Sequence, residues 1–387
     1  TQCNEVITKY GESTEPEIIQ YVAEARFWRA FSYDKLYHLF GTVPLVTGSQ
    51  DIKNGIARAS QEEMESFIET ELADVEKVLP ETYSSTDYGR PTSWAVKATL
   101  SRYYLNKKDW KKASIYAKEI IDKGGFNLVD YQDIFSKNQN DEVILAINHI
   151  AEANHGNKYV ALVLEASIRD ALGITGVSAS NGYGMAVPFF RTFDPDDKRI
   201  TPYNPATGKG IAVSGIVYKS DGTPVYGTPE EPKSVEEQLS RVLTFKWEVQ
   251  TNIPLGEDAS LNVPALRLGE VMLTYAEAEN ELGHLEEAKT YVDKIRSRAG
   301  LENLPANLNM ASMRDAILDE RGWELYHEGY RREDLVRHGK LLEKVNEKYH
   351  YYFGKDMPWK NNNDRILQPI PTNALLLNPL LKQNPGY

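Results

Sequence analysis

The sequence predicts a mainly α protein: a scaffold of antiparallel helical hairpins interrupted by one long, loop-rich insertion. Two observations carry this expectation. The first is a pair of matching hairpins near opposite ends of the chain. Ala113, Tyr116 and Ile120 of one align with Ala288, Tyr291 and Ile295 of the other, each pair 175 positions apart. The second is the loss of helical period over residues 126–262. There Pro202, Pro205, Gly208, Gly210, Gly215, Gly222, Pro224, Gly227, Pro229 and Pro232 crowd one short span. Gly and Pro at that density break helices and mark turns. The expected division is 1–125 for the first part of the scaffold, 126–262 for the insertion, and 263–387 for further hairpins and a Pro-rich tail.

The elements follow in order. Ile18, Tyr21, Val22, Ala25, Trp28, Leu36 and Leu39 recur at spacings of three and four, which predicts an amphipathic helix over Glu17–Phe40. Pro16 suits its first turn and Gly41 its C-terminal cap. Pro44 biases Val43 toward the β region, so Val43–Val46 reads as extended. A second helix spans Gln61–Leu79, opened by a capping box of Ser60 with Glu63, and Pro80 lies just past its end. Over Thr92–Lys123, one helix carries Ala95, Ala98, Leu100, Tyr103 and Leu105. A polar turn, Asn106 to Asp109, leads to a second helix with Trp110, Ala113, Ala117, Ile120 and Ile121. The small residues sit where two helices must approach closely, and the hairpin resembles a tetratricopeptide unit. Such a unit cannot bury its apolar face alone, so two of them predict a stack. Consecutive units lie roughly 34 residues apart, so the larger separation here predicts a stack split by the insertion.

Within the insertion, short strands are expected at Val143–Ile147 and Ile211–Tyr218. The second hairpin is Val271–Leu282 with Leu285–Ala299, turning at Gly283-His284. A helix after Leu308 carries Met313, Ile317, Leu318, Trp323 and Leu325. A short helix, Arg332–His338, leads into a basic-aromatic loop over Lys344–Arg365. The prolines 369, 371, 379 and 385 predict an extended tail laid over the body.

Composition narrows the function. Fifty-six Asp and Glu against 44 Lys and Arg leave a formal charge of −12, which disfavours binding to a phosphate backbone, so no nucleic-acid partner is expected. The single cysteine, Cys3, allows neither an intrachain disulfide nor a cysteine metal cluster. No apolar run approaches the roughly 20 residues of a membrane span. Thr1 rather than Met at the start predicts a processed or truncated N-terminus. None of the seven histidines shows the spacing of a zinc-protease helix, and no phosphate-binding loop, dinucleotide glycine motif or nucleophile elbow occurs. Asp194, Asp196 and Asp197 lie beside Pro195, Lys198 and Arg199, which suits an ion-paired turn better than a calcium loop. Glu320-Arg321 and Glu328 through Asp334 interleave charges of both signs and read as a structural ion-pair network. No catalytic residue, metal or cofactor is assigned.

What remains is binding. The chain holds 23 Tyr, 11 Phe and 6 Trp. Aromatic rings stack on the apolar faces of sugar rings, while amides meet their hydroxyls. The candidates in the insertion are Tyr183, Tyr203, Tyr218, Tyr226 and Trp247, with Asn181 beside them. Tyr349, Tyr351, Tyr352 and Trp359 form a second aromatic set nearer the end. For any one of these rings, packing in a core is the competing reading.

Four ordered stretches carry a family resemblance. Ala25-Arg26-Phe27-Trp28-Arg29-Ala30-Phe31 continues through Phe40-Gly41 and Val43-Pro44-Leu45. Arg267-Leu268-Gly269-Glu270 leads to Tyr275-Ala276-Glu277-Ala278. Glu320-Arg321 precedes Trp323-Glu324-Leu325, Glu328-Gly329 and Arg331 to Leu335. The chain closes on Pro369-Ile370-Pro371, Asn378-Pro379 and Gln383-Asn384-Pro385-Gly386-Tyr387. Together they resemble the SusD/RagB family of Bacteroidetes. The resemblance implies a tetratricopeptide-like scaffold with a glycan-binding insertion. It also implies a non-catalytic lipoprotein on the cell-surface side of the outer membrane, which passes oligosaccharide to a SusC-like, TonB-dependent transporter. Cys3-Asn4-Glu5 falls inside an early helix of that pattern, so Cys3 is not expected to be the lipidated cysteine; the lipid anchor is expected outside this sequence. The binding aromatics have no fixed motif in the family and are not carried over. Two other readings stay open: a tetratricopeptide-like adaptor that binds only protein, and a helical glycoside hydrolase, for which 56 acidic residues offer many carboxylate pairs and single out none.

Overall fold

A computed structural model of the chain describes residues 2–48, 54–152, 155–164, 166–171, 177–180, 182–200, 217–218, 224–226, 242, 244, 246–248, 250 and 259–387. Helices dominate these residues, as expected. α1 (Gln2–Tyr10) and α2 (Pro16–Phe40) open the chain, with Pro16 at the start of α2 and Gly41 capping it at φ 72°. α3 (Gln61–Glu76) begins on the expected capping box: Glu63 N donates to Ser60 Oγ at 3.2 Å, and Ser60 N donates to Glu63 Oε2 at 2.7 Å. α4 (Ser93–Asn106) and α5 (Trp110–Lys123) form the first hairpin, each capped at its N-terminus by the side chain of Thr92 or Asp109.

Among the described residues the insertion holds β1 (Val143–Ile147), three short helices α6 (Tyr159–Val163), α7 (Ala166–Ala171) and α8 (Val187–Phe190), and the strand pair β2 (Val217–Tyr218) and β3 (Pro224–Tyr226). The expected strand over Ile211–Tyr218 is present at its last two residues; the rest lies outside the described residues. β4 (Val263–Arg267) closes the insertion and pairs antiparallel with β1, Val143 opposite Arg267 and Ile147 opposite Val263. That ladder stitches the two ends of the insertion together. It delivers α9 (Leu268–Glu281) directly against α5, and α10 (Leu285–Ala299) completes the second hairpin.

The two hairpins, far apart in sequence, are therefore neighbours in the stack. The aligned residues serve the same purpose in each: Ala113, Ala288, Ile120 and Ile295 are all fully buried. Ala at the crossing lets the helix backbones approach closely. Ser114 and Lys118 of α5 donate to Glu279 (2.5 Å) and Tyr291 (3.2 Å) of the second hairpin. α11 (Met310–Glu324) extends the stack, followed by α12 (Arg331–Arg337). Leu341–Phe353, expected in part as loop, is instead a helix, α13. Its Val345, Tyr349 and Phe353 repeat at four, which is helical period under a basic surface. The tail also departs from expectation: Thr372–Leu377 forms a short helix, α14, between Pro371 and Asn378. Elsewhere it is strapped to the body. Asn378 Oδ1 accepts from Ile56 N (3.1 Å), and Arg58 donates to Asn384 Oδ1 (2.7 Å).

Among the described residues two hydrophobic cores result, one inside the helix stack and one under the insertion, the latter including Phe135, Val163, Met185 and Trp247. A buried ionic seam joins them. Arg267 donates to Glu142 (2.8 Å), Glu324 (2.5 Å) and Glu328 (2.7 Å). Arg199 pairs with Asp197 (2.7 Å) and Glu320 (2.7 Å), and Lys246 pairs with Glu328 (2.6 Å). The expected turn at Asp194–Arg199 is thus anchored to α11 rather than paired only with itself, and the expected network at Glu320-Arg321 and Glu328–Asp334 is there, with Arg321 on Asp334 at 2.9 Å. Burial alone would raise the carboxyl of Glu324, but Arg298, Arg267 and Arg199 outweigh it and hold the group well below the usual carboxylate range. The seam fixes where the insertion sits on the scaffold.

Candidate functional site

The site is built where the insertion meets α11 and α13. The turn after α11 runs Leu325, Tyr326, His327, Glu328. His327 holds φ at 60°, a left-handed conformation uncommon for a side chain of its size. What holds it there is the seam: Glu328 is fixed by Arg267 and Lys246, and Lys246 also donates to the Tyr326 carbonyl. Burial, with Lys246 adding to it, pushes the His327 imidazole down to about 4, so the ring is neutral at pH 7. It stacks on Tyr326 at 4.4 Å and meets Tyr159 edge-on at 5.1 Å.

From His327 an aromatic column runs both ways. Inward, Tyr159 packs on Trp247 at 4.1 Å and Trp247 on Phe135 at 5.2 Å. Outward, His327 meets Tyr183 edge-on at 6.4 Å. Tyr183 is 56% exposed, while Trp247 is 3% exposed. Two of the rings singled out in the sequence thus stand in one column, Tyr183 at its outer end and Trp247 within its buried part. Trp247 is a buried footing and Tyr183 the ring that reaches solvent.

Facing Tyr183 is α13. Val187 N donates to Tyr352 Oη at 3.2 Å, which fastens α13 to α8. Tyr349 and Phe353, one turn apart, lie 4.6 Å ring to ring, and Phe353 is 44% exposed. Between them and Tyr183 is a hollow of about 540 Å³, lined also by Val345, Lys348 and Tyr352. A deeper cavity of about 500 Å³ adjoins it, walled by Phe189, Tyr326, His327, Asp319, Arg331 and Lys344. Gly184, Ala186, Val345 and Lys348 line both, so the two form one continuous groove. Its walls are rigid: one is a helix, the other rests on the column. A concave, largely apolar surface edged with a few polar groups is the usual form of a small-ligand site.

The remaining candidates fare differently. Tyr218 pairs with Pro224, and Tyr226 with Val217, in the β2–β3 ribbon; their side chains are outside what the structure describes. Tyr203 and Asn181 lie outside the described residues. Of the later aromatic set, Tyr349 and Tyr352 line the hollow, Tyr351 packs near Arg191, and Trp359 stands apart beside Arg365. Phe353, Lys348, His327 and Arg331 were not singled out from the sequence. The repeat of Val345, Tyr349 and Phe353 was the one local signal for the first two. Arg331 enters the sequence reading only as part of the Glu328–Asp334 charge run and of the family stretch from Arg331 to Leu335, and nothing local marks His327 as lining a groove.

Two family profiles match the chain: "SusD family" over residues 208–387, and "Starch-binding associating with outer membrane" over residues 3–105. Among curated relatives, SusD-like protein P25 of Formosa agariphila is 25% identical, aligned over 97% of this chain and 74% of its own length. The starch-binding protein SusD of Bacteroides thetaiotaomicron is 24% identical, over 100% of this chain and 76% of its own. Among solved structures, a SusD-like protein of Bacteroides fragilis superposes with a TM-score of 0.78 at 24% identity, over 100% of this chain and 83% of that one. A laminarin-binding SusD-like protein superposes with a TM-score of 0.75 at 22% identity, with the same coverage. At such identities the superpositions establish a shared fold.

Proposed function

We propose, proceeding from the fact that this chain belongs to the SusD/RagB family, that it captures oligosaccharide in the groove between Tyr183 and α13. The observation that carries this reading is the pair of exposed rings, Tyr183 and Phe353, flanking a preformed hollow on rigid supports. A pyranose presents an apolar face of C–H bonds that an aromatic ring covers, at about 1 kcal/mol per ring by analogy with other aromatic contacts. Hydroxyls at the sugar edge then meet Lys348, Tyr349 and the polar groups of the deeper cavity. A few such contacts correspond to roughly micromolar-to-millimolar affinity once the cost of association is subtracted.

The captured glycan is passed, in this reading, to a TonB-dependent transporter of the outer membrane, and no bond in it is broken. The description of the N-terminal family profile as associating with the outer membrane supports the location. No helix among the described residues is long and apolar enough to cross a membrane, so association through an anchor or a partner is proposed.

Calorimetry of the whole chain against malto- and laminari-oligosaccharides and a wider glycan panel tests the reading. Tyr183→Ala and Phe353→Ala should each weaken the measured affinity about five- to tenfold, the equivalent of one lost ring contact. Both side chains are exposed, so thermal stability should be unchanged within about 0.5 kcal/mol. Absence of binding across the panel, or sugar release on prolonged incubation, would overturn it.

A further inference from the structure

We propose that the groove selects an anionic sugar, one bearing a uronate carboxylate or a sulfate ester, and that Lys348 and Arg331 are its cationic contacts. This rests on the glycan-capture reading and adds the class of ligand to it. The chain as a whole is acidic, at −12. The deeper cavity reverses that sign: Arg331, Arg332, Lys344 and Lys348 line it against Asp319 and Glu347. Part of this charge is already committed. Lys344 holds Glu347 at 2.9 Å, and Arg332 donates to the carbonyls of His38 and Ile366. Arg331, Lys348 and Asp319 remain.

Several lysines near Lys348 are ion-paired. Lys340 pairs with Asp315 (2.6 Å), Lys344 with Glu347, and Lys360 with Asp356. Lys348 lines both halves of the groove, and among the described residues it has no hydrogen-bond or ion-pair partner. Arg331 is half-buried. Its Nη1 donates to the Leu318 carbonyl at 2.6 Å and its Cζ lies 5.3 Å from the Phe189 ring centre; Asp334 and Asp319 are its nearest opposing charges, and neither forms an ion pair with it among the described residues. A guanidinium held in a partly desolvated cavity, with N–H groups to spare, is preorganised for a planar or tetrahedral oxyanion. A neutral sugar offers those donors only hydroxyl acceptors, whereas an oxyanion adds the stronger, charge-assisted bond. Asp319 stands in the same wall, and the cationic excess persists with it counted.

Titration of the full chain against matched pairs tests this. Oligogalacturonate is compared with its methyl ester, and sulfated carrageenan oligosaccharides with neutral agaro-oligosaccharides, at low and high salt. The expected result is at least about tenfold tighter binding of one charged member over its neutral partner, as for a charge-assisted contact, with the preference shrinking at high salt. Which charged member wins distinguishes uronate from sulfate ester. Lys348→Gln, an exposed change that leaves folding intact, should remove most of the preference. Arg331→Gln should remove the rest, with melting temperature as its control. Equal binding of charged and neutral members, or binding confined to neutral glucans, overturns the anionic proposal while glycan capture stands. A charge preference undiminished in both variants overturns it as well. If no glycan of either kind binds, the capture reading itself falls.

Discussion

Replacing Arg267 by Met keeps most of the side-chain volume and deletes the central cation of the buried seam. Arg267 bridges Glu142, Glu324 and Glu328 at 2.8, 2.5 and 2.7 Å, and all four side chains are essentially inaccessible to solvent. Around them, Arg199, Arg298 and Lys246 supply the remaining positive charge. Removing one member of such a buried cluster leaves an uncompensated carboxylate, at a cost of about 3–5 kcal/mol. With an unfolding entropy of about 2.1 cal/mol/K per residue over 387 residues, that loss lowers the melting temperature by about 4–6 °C. The pH dependence separates charge from packing. Glu324 and Glu328 are buried, but the neighbouring cations outweigh that burial and hold both carboxyls below the ordinary range in the folded state. Their contribution is present above the unfolded carboxylate pKa and is lost as pH falls through the folded one. In the variant the orphaned carboxyls protonate more readily, so its deficit should narrow from pH 7 to about pH 4.5. Calorimetric melts across that range provide the test. A melting temperature within a degree of the parent at pH 7, or a deficit that stays constant with pH, would refute the assignment of the seam as an electrostatic clamp.

Further outcomes follow from the same geometry. Gly269→Ala should destabilise by about 1–3 kcal/mol in denaturant unfolding, although Ala suits a helix better by about 1 kcal/mol. The added Cβ would lie 2.5 Å from Arg267 Nη1 and 2.9 Å from Glu142 Oε1, both locked in the seam. His327 has its folded pKa pushed down to about 4, so the unfolded chain takes up the proton first and stability declines as pH falls from about 6.5 toward 4. His327→Asn tolerates the left-handed backbone and should flatten the melting profile over that window. Ser60→Ala removes the cap of α3 and should cost about 1 kcal/mol by the same unfolding measurement.

Much of the scaffold was legible because its signals are local. The Ser60–Glu63 cap, Pro16 and Gly41 at the ends of α2, and the Ala, Tyr and Ile repeat of the hairpins all act over three to seven residues, within the reach of helix geometry. α13 departs from the expected loop because its basic residues, Lys344 and Lys348, mask the four-residue repeat of Val345, Tyr349 and Phe353. In the groove, Tyr183 was named from the sequence together with Trp247, which the structure buries. Trp247 falls in an apolar–polar alternation, Phe245-Lys246-Trp247-Glu248-Val249, which suits half-burial, whereas Tyr183 stands between Gly182 and Gly184.

The sequence by itself determined the helical hairpins and their caps. These depend on backbone hydrogen bonds and on apolar residues a turn or two apart. Only the tertiary structure decided which rings face solvent, that α5 stacks on α9, and that Glu142, Arg199 and Lys246 of the insertion meet Arg267, Glu324 and Glu328 of the scaffold. Exposure and ion pairing are set by which distant segments are brought together. The β1–β4 ladder and the desolvated seam do that, and no local pattern encodes either of them.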